Sequence, residues 1–320
     1  NIGALNGDQR YLRRDLNRMW SPKDLDSLRS RDPATDTAEE REQRELLETI
    51  QAELVVAEDP IIFIDLHSTS AGAPPFSVIS DTLQNRRIAF ALPIPVVLGL
   101  EEAVEGTLLS YFSEQGYVAV GVEGGQHKDP RTVDCHESAI WMTLVAAGIL
   151  EEAEVPDFAH HRQRLQDATR GLPSAVEIIH RHGITPEDDL IIEEGFLNFD
   201  HVTRGQLLGR DVRGAVRAPE TALLLLPRYQ GLGDDGFFLG REVRLFWLML
   251  SDLLRRIRLD RLLKFLPGVH IDPDRQNVLL ANPRVTRWFA VEIFHLFGFR
   301  KCKQDGSYLV FCRRPEAHRT

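Results

Sequence analysis

A chain of 320 residues, 43% hydrophobic and 27% charged, has the make-up of a globular protein, which argues against a disordered chain or a fibre. Its 38 basic residues against 48 acidic ones leave a net charge of -10, which opposes non-specific attraction to nucleic acid and to anionic membranes. The length suggests about two domains. No apolar run reaches the ~20 residues that span a bilayer, and the start has neither the basic nor the apolar region of a leader peptide, so the chain reads as soluble. The three cysteines, Cys135, Cys302 and Cys312, contain no Cys-x-x-Cys pair and are too scattered for a disulfide framework, which points to a reducing, cytoplasmic setting. The chain opens at Asn1 without a methionine and enters functional-looking sequence within about ten residues. We therefore expect that a piece precedes it.

Residues 37–56 alternate charged and apolar positions at helical spacing, with Leu46, Leu47, Ile50 and Leu54 on one face, and predict a surface helix laid on a core. Asp59-Pro60 ends it. Residues 61–65 form a short β-branched and aromatic run that reads as a buried central strand, with His67 just past its carboxyl end. A weaker strand is expected at 77–80, a helix at 104–115, a buried strand at 117–122 running into Glu123-Gly124-Gly125, and a helix at 136–150. Strands alternating with helices predict an α/β sheet with helices on both faces. Ligands of such sheets bind outside the carboxyl ends of the strands, where His67 and Glu123 both fall.

From about residue 156 the pattern changes. A polar helical connector leads to short β-like runs at 190–193, 195–199, 207–209, 214–218 and 223–226, punctuated by Gly and Pro, which predict a small β-domain. Residues 241–264 predict a helix rich in Leu and Arg. A basic amphipathic helix is compatible with a membrane surface, but a helix packed on its own domain with solvated arginines is the simpler reading. The tail predicts a helix at 288–297, then a hairpin of 299–303 and 308–313 turning at Gln304-Asp305-Gly306. No chemistry is assigned to it. The division expected is 1–155, 156–240 and 241–320.

Three short segments carry the chemistry. Asp65 and His67 lie two positions apart on a strand, hence on one side, and a metal-ligating histidine commonly needs a carboxylate to orient its ring. A strand-end histidine satisfied by ordinary hydrogen bonds fits the same spacing. Glu123 precedes two glycines that let a ligand come close. If partly desolvated it would have a raised pKa and could act as a general base, although a turn glutamate would look alike. Arg10, Asn17 and Arg18 offer fixed donors for a carboxylate or an oxyanion. Arg13 and Arg14 share that stretch, so spacing does not separate the roles of the arginines. No His-x-x-Glu or His-x-x-His pair occurs in the sequence to complete a three-ligand zinc set, and His127 and His136 are not expected to substitute.

Arg10-Tyr11 with Asp15-Leu16-Asn17-Arg18, Asp65-Leu66-His67-Ser68-Thr69 and Val122-Glu123-Gly124-Gly125-Gln126 together resemble the succinylglutamate desuccinylase and aspartoacylase family, which has the zinc-carboxypeptidase-like fold. Gly195-Phe196-Leu197-Asn198-Phe199, Pro227-Arg228-Tyr229-Gln230 and Gly233-Asp234-Asp235-Gly236-Phe237-Phe238 look like that family's C-terminal β-domain, so the resemblance runs to about Arg241. It implies an α/β mixed sheet flanked by helices with a smaller β-rich domain, and a zinc-dependent hydrolase of N-acyl amino acids, a small-molecule partner. By the same resemblance His67 would be a zinc ligand with Asp65 behind it, Glu123 would activate water and later protonate the leaving amine, Arg10 would stabilise the oxyanion, and Asn17 and Arg18 would hold the substrate carboxylate. The family's other two ligands belong to a His-x-x-Glu upstream of the Arg-Tyr segment, which this chain does not contain. A non-catalytic relative that binds a carboxylate, and a carboxypeptidase acting on peptide C-termini, are the alternatives.

Overall fold

The structure is a computed structural model and describes residues 2–7, 9–72, 74–272, 275, 277–282, 290–305 and 308–313. The strands expected at 61–65, 77–80 and 117–122 form as β1 (Ile62–Thr69), β2 (Phe76–Ile79) and β4 (Val118–Gln126), joined by β3 (Val96–Leu98) and β5 (Ala175–Gly183). A small sheet follows from β6 (Ile191–Ile192), β8 (Leu207–Asp211) and β9 (Gly214–Arg217). β7 (Asp200–Val202), β10 (Ala222–Leu225) and β11 (Asp235–Glu242) return to the first sheet and bring it to eight strands in the order β1-β4-β2-β3-β5-β11-β10-β7. β1–β4, β2–β3 and β3–β5 are parallel pairs, whereas β2–β4 and the run β5-β11-β10-β7 are antiparallel. The sheet is therefore mixed, and the β-rich segment extends it.

Strand periodicity explains how both faces are covered. On β3, Val96 and Leu98 point into a core that includes Ile88 of α4 (Leu83–Ala89), Met142 of α7 (Pro130–Ala147) and Leu165 of α8 (Phe158–Ala168). Val97 between them points the other way, toward Leu100 of α5 (Leu100–Ala103) and Leu109 of α6 (Leu108–Glu114). An alternating run buried on both sides is what a central strand requires, and helices on both faces are found as expected.

The differences from the sequence reading have local causes. Of the helix expected at 104–115 only 108–114 forms, as α6, because Gly106 just before it has a φ of +71° that no regular helix tolerates. α7 starts earlier than expected because Asp129 caps it and Pro130 takes its first turn. β5 hides in what reads as a polar connector, because its residues beyond Val176 are only half covered. No strand forms at 195–199, and 241–242 ends β11 instead of opening a helix. The basic segment becomes α9 (Leu245–Arg256) and a 3-10 turn over Leu259–Phe265. A four-stranded sheet of β12 (Val269–Ile271), β13 (Val278–Ala281), β14 (Phe299–Asp305) and β15 (Tyr308–Arg313) closes the chain over the helix Ala290–Leu296. The β14–β15 hairpin was expected, while residues 288–289 and Gly306 of that expectation lie outside the described residues. Cys135 is buried and free but Cys312 is disulfide-bonded, a pairing that the scatter of cysteines did not suggest. Among the described residues no helix is long and apolar enough to cross a membrane.

A buried charge network ties the C-terminal sheet to the first one. The fully buried Asp81, just after β2, accepts from Arg86 at 2.5 and 2.9 Å, from Arg255 of α9 at 3.4 Å and from Arg300 of β14 at 2.8 Å. Arg300 also reaches Glu177 of β5 at 2.8 Å, beside His295 Nδ1 at 2.7 Å. Burial alone would raise both carboxyls, but the surrounding cations outweigh it and hold Asp81 and Glu177 well below the usual carboxylate range. Asp81→Asn, which strands buried guanidinium groups, should lower stability by roughly 3–5 kcal/mol, read as the urea midpoint. Because the folded pKa values are depressed, this stabilisation is full above about pH 4 and is lost as the pH falls through the folded values. The wild-type urea midpoint should therefore drop on acidification, and the drop should be shallower in Asp81→Asn.

Candidate active site

The parallel register of β1 and β4 sets His67 directly beside Glu123 at the carboxyl ends of both strands, where backbones lie ~4.8 Å apart. Asp65, on the same side of β1, holds His67 Nε2 at 2.8 Å, so Nδ1 is the ring nitrogen that this pairing does not use. Burial works against a charged ring, but the hydrogen bond to Asp65 and the negative charges of Asp65 and Glu123 outweigh it and hold His67 up at about 9. Glu123 shifts the same way for a different reason. Burial raises its pKa, the cations His67 and Arg10 pull it back in part, and Asp65 pushes it up again. Its Oε2 is buried with no hydrogen-bond partner among the described residues.

The strand expected to end at 122 continues through Glu123-Gly124-Gly125, because β4 runs on to Gln126. The glycine serves a close approach. A Cβ on Gly124 would lie 2.4 Å from the His136 ring and 2.9 Å from the Thr132 carbonyl, so only glycine lets α7 lie against this strand end. His136 uses that space to bind the His67 carbonyl through Nε2 at 2.7 Å. His127 bonds Ser68 Oγ at 2.9 Å and Gln230 Oε1 at 3.3 Å.

The arginine segment is held from beneath by a helix. Glu39 and Gln43 of α3 (Ala38–Val56) lie on its buried face with Leu47, whereas the expected apolar stripe leaves Leu46 exposed. Glu39 Oε1 accepts the Leu12 and Arg13 backbone N–H groups at 2.7 and 3.3 Å, and Gln43 donates to the Met19 carbonyl at 2.5 Å. The four arginines now separate. Arg10 donates to Asp15 at 2.8 Å and Arg18 to Asp235 at 2.9 Å, both lining one cavity with Asp65, His67 and Glu123. Arg14 turns to Asp24 at 2.5 Å and Arg13 is exposed. Asn17 lines the cavity too, but its Oδ1 accepts the Leu108 N–H at the start of α6, 2.9 Å away.

Two further residues matter that single-residue reading did not find. Asp235 bridges Arg18 and Arg181, the latter at 2.5 Å, so a substrate carboxylate reaching Arg18 must share it with a resident acid. Arg228 also lines the cavity. Its Nη groups reach only the carbonyls of Gly231 and Leu190 at 3.1 and 3.0 Å, its Nε is buried without a partner, and it forms no ion pair among the described residues. Burial lowers its pKa, against the opposing pull of Tyr11 and Asp189. The only signal in sequence was the Pro227-Arg228-Tyr229-Gln230 string. Nothing in it told that Ser70 Oγ, 3.1 Å from the Tyr229 N–H, anchors that loop over β1.

The cavity measures about 160 Å³. Among the described residues, no group of three or more His, Cys, Asp or Glu side chains could hold a metal ion.

Residues 1–141 match the family described as Succinylglutamate desuccinylase/Aspartoacylase catalytic domain. That stretch belongs to this family, as its motifs indicated. Among solved structures, the succinylglutamate desuccinylase/aspartoacylase from Rhodobacter sphaeroides superposes with a TM-score of 0.52 at 19% identity, covering 76% of this chain and 73% of that one. The succinylglutamate desuccinylases from Vibrio parahaemolyticus and Vibrio cholerae give 0.51 at 16% and 0.50 at 17% identity, each covering 76% of this chain and, respectively, 69% and 68% of theirs. At such identity these likenesses establish the shared fold. No match to a curated protein was found.

The anchoring of the arginine segment can be tested on its own. Glu39→Ala removes an acceptor for backbone N–H groups and should cost about 1–3 kcal/mol, with faster hydrogen exchange at Leu12 and Arg13. Glu39→Gln, which retains an acceptor oxygen, should restore most of the protection.

Proposed function

We propose that this chain carries the pocket of a zinc-dependent deacylase that hydrolyses the amide bond of an N-acyl amino acid. The observation that supports it most is the desolvated, unpartnered carboxylate oxygen of Glu123, register-paired with His67 and sharing one cavity with Arg10 and Arg18. A carboxylate with a raised pKa beside a cationic wall is suited to take a proton from water and return it to a leaving amine. Arg10 would meet the negative charge that develops on the carbonyl oxygen. Arg18, with Asn17 behind it, would hold the free carboxylate, and Arg228 would be available for a second carboxylate on the acyl group.

Zinc fits these residues only in part. His67, with Asp65 orienting it, is a suitable ligand, but a catalytic zinc takes three protein ligands. The other ligands would have to come from outside the described residues. The chemistry that the described side chains carry by themselves is proton transfer at Glu123 and anion binding at the arginines.

Calorimetry with N-succinylglutamate and N-acetylglutamate tests the pocket independently of turnover. Arg18→Ala should weaken both by about tenfold or more, the worth of a charge-assisted hydrogen bond. Arg228→Gln should weaken the succinyl compound more than the acetyl one. Absence of binding by either compound to the wild-type chain would overturn the reading. In a zinc-supplemented assay of amine release, Glu123→Gln should lose about 10²–10⁴-fold in rate, and undiminished hydrolysis would exclude Glu123 as the base. Binding without hydrolysis by the wild-type chain would favour the carboxylate-binding relative.

A further inference from the structure

The helix α9 is built inside out. Its inward face is Leu248, Ser251 and Arg255, spaced three and four apart, and two of these are polar: Ser251 donates to the Leu296 carbonyl at 2.6 Å and Arg255 to the Asp81 carbonyl at 2.7 Å. The opposite face carries Phe246, Met249, Leu253 and Ile257 at the same helical spacing, directed outward. Phe246 is 65% exposed, Met249 71% and, in the turn that follows, Phe265 72%. Trp247 stands beside them, half exposed. Single exposed apolar residues are ordinary, but a run of large ones along one helix face marks a surface that something covers.

The charges around this face indicate what covers it. Arg244, Arg258, Arg261 and Lys264 are exposed and form no ion pair among the described residues. The acids of the same segment are already engaged, Asp252 with Arg256 at 2.8 Å and Asp260 with Arg313 at 2.7 Å. A second copy of the chain is a poor occupant, because a two-fold interface must be self-complementary and this patch would bring unpaired cations together with no free acid in the segment to meet them. The chain as a whole carries -10, so this local excess of positive charge stands against the overall balance. Aromatic and aliphatic side chains on one face, with arginine and lysine at the rim, are what an element lying in the headgroup region of an anionic bilayer needs.

We propose that the outward face of α9 and the 3-10 turn after it docks on an anionic lipid surface. Phe246, Trp247, Met249 and Leu253 enter the boundary between headgroups and acyl chains, and Arg244, Arg258, Arg261 and Lys264 meet lipid phosphates. The helix lies on the membrane and does not cross it, consistent with its 12 residues. The inward Arg255 stays with Asp81, so docking needs no rearrangement of the buried network.

Flotation of the full 320-residue chain with vesicles tests this. The chain should float with vesicles of equal parts phosphatidylcholine and phosphatidylglycerol, and much less with phosphatidylcholine alone. The double variant Phe246→Glu with Met249→Glu should lose binding by roughly tenfold or more, with unchanged circular dichroism because both positions are exposed. Arg261→Glu with Lys264→Glu should lower it by a similar factor, and salt should weaken the wild type. Failure of the wild type to float, or equal flotation of wild type and the Phe246/Met249 variant, would overturn the proposal. So would a concentration-dependent dimer without vesicles that Phe246→Glu abolishes, since the face would then belong to a second copy.

Discussion

The site depends on the parallel pairing of β1 with β4. Residues 62–69 and 118–126 contribute apolar strands whose carboxyl ends finish together, and the register places a histidine beside a glutamate at that edge. Each side chain then alters the other. The anionic pair Asp65 and Glu123 keeps His67 basic, while burial of Glu123 makes its own ionisation harder than in water. A slip of one residue in this register would turn one of the two side chains to the other face of the sheet. Gly124 allows α7 to close against the pair without displacing it.

Around this centre, charge is arranged by compensation. Arg10, Arg14 and Arg18 each have a carboxylate partner, and Asp81 and Glu177 are held by cations from the C-terminal segment. The exceptions are informative because an uncompensated charge persists only where something offsets its cost. Arg228 is such an exception inside the cavity, whereas the exposed cations around α9 are solvated and carry no such cost.

Much of the sheet was readable from runs such as Ile61-Ile62-Phe63-Ile64 and Val118-Ala119-Val120, because a strand buried on both faces leaves an uninterrupted apolar signature. β5 was not readable, since its Glu177, His180, Arg181 and His182 look like a polar connector until their partners on β11 and the helix Ala290–Leu296 are in place. The face of α3 was misjudged for a related reason. Leucines at helical spacing suggested an apolar contact, whereas the buried positions Glu39 and Gln43 serve backbone groups of a loop more than twenty residues away. Polar residues buried for a distant partner carry no periodic signal.

The sequence by itself determined the residue types of the site, the order in which they arrive and their placement at strand ends, because local pattern and strand alternation act over a few neighbouring residues. Asp65, His67 and Glu123 stood out as candidates on that basis, whereas Arg10, Asn17 and Arg18 were singled out from their neighbours only by the family resemblance. Only the tertiary structure decided that Asp235 and Arg228 join them, which arginines face the cavity, and that α9 turns its apolar side outward. Those outcomes depend on contacts between segments far apart in the chain, such as Arg18 with Asp235 and Arg255 with Asp81. A helix shows its two faces in sequence, but which face is buried is settled by what the rest of the chain brings against it.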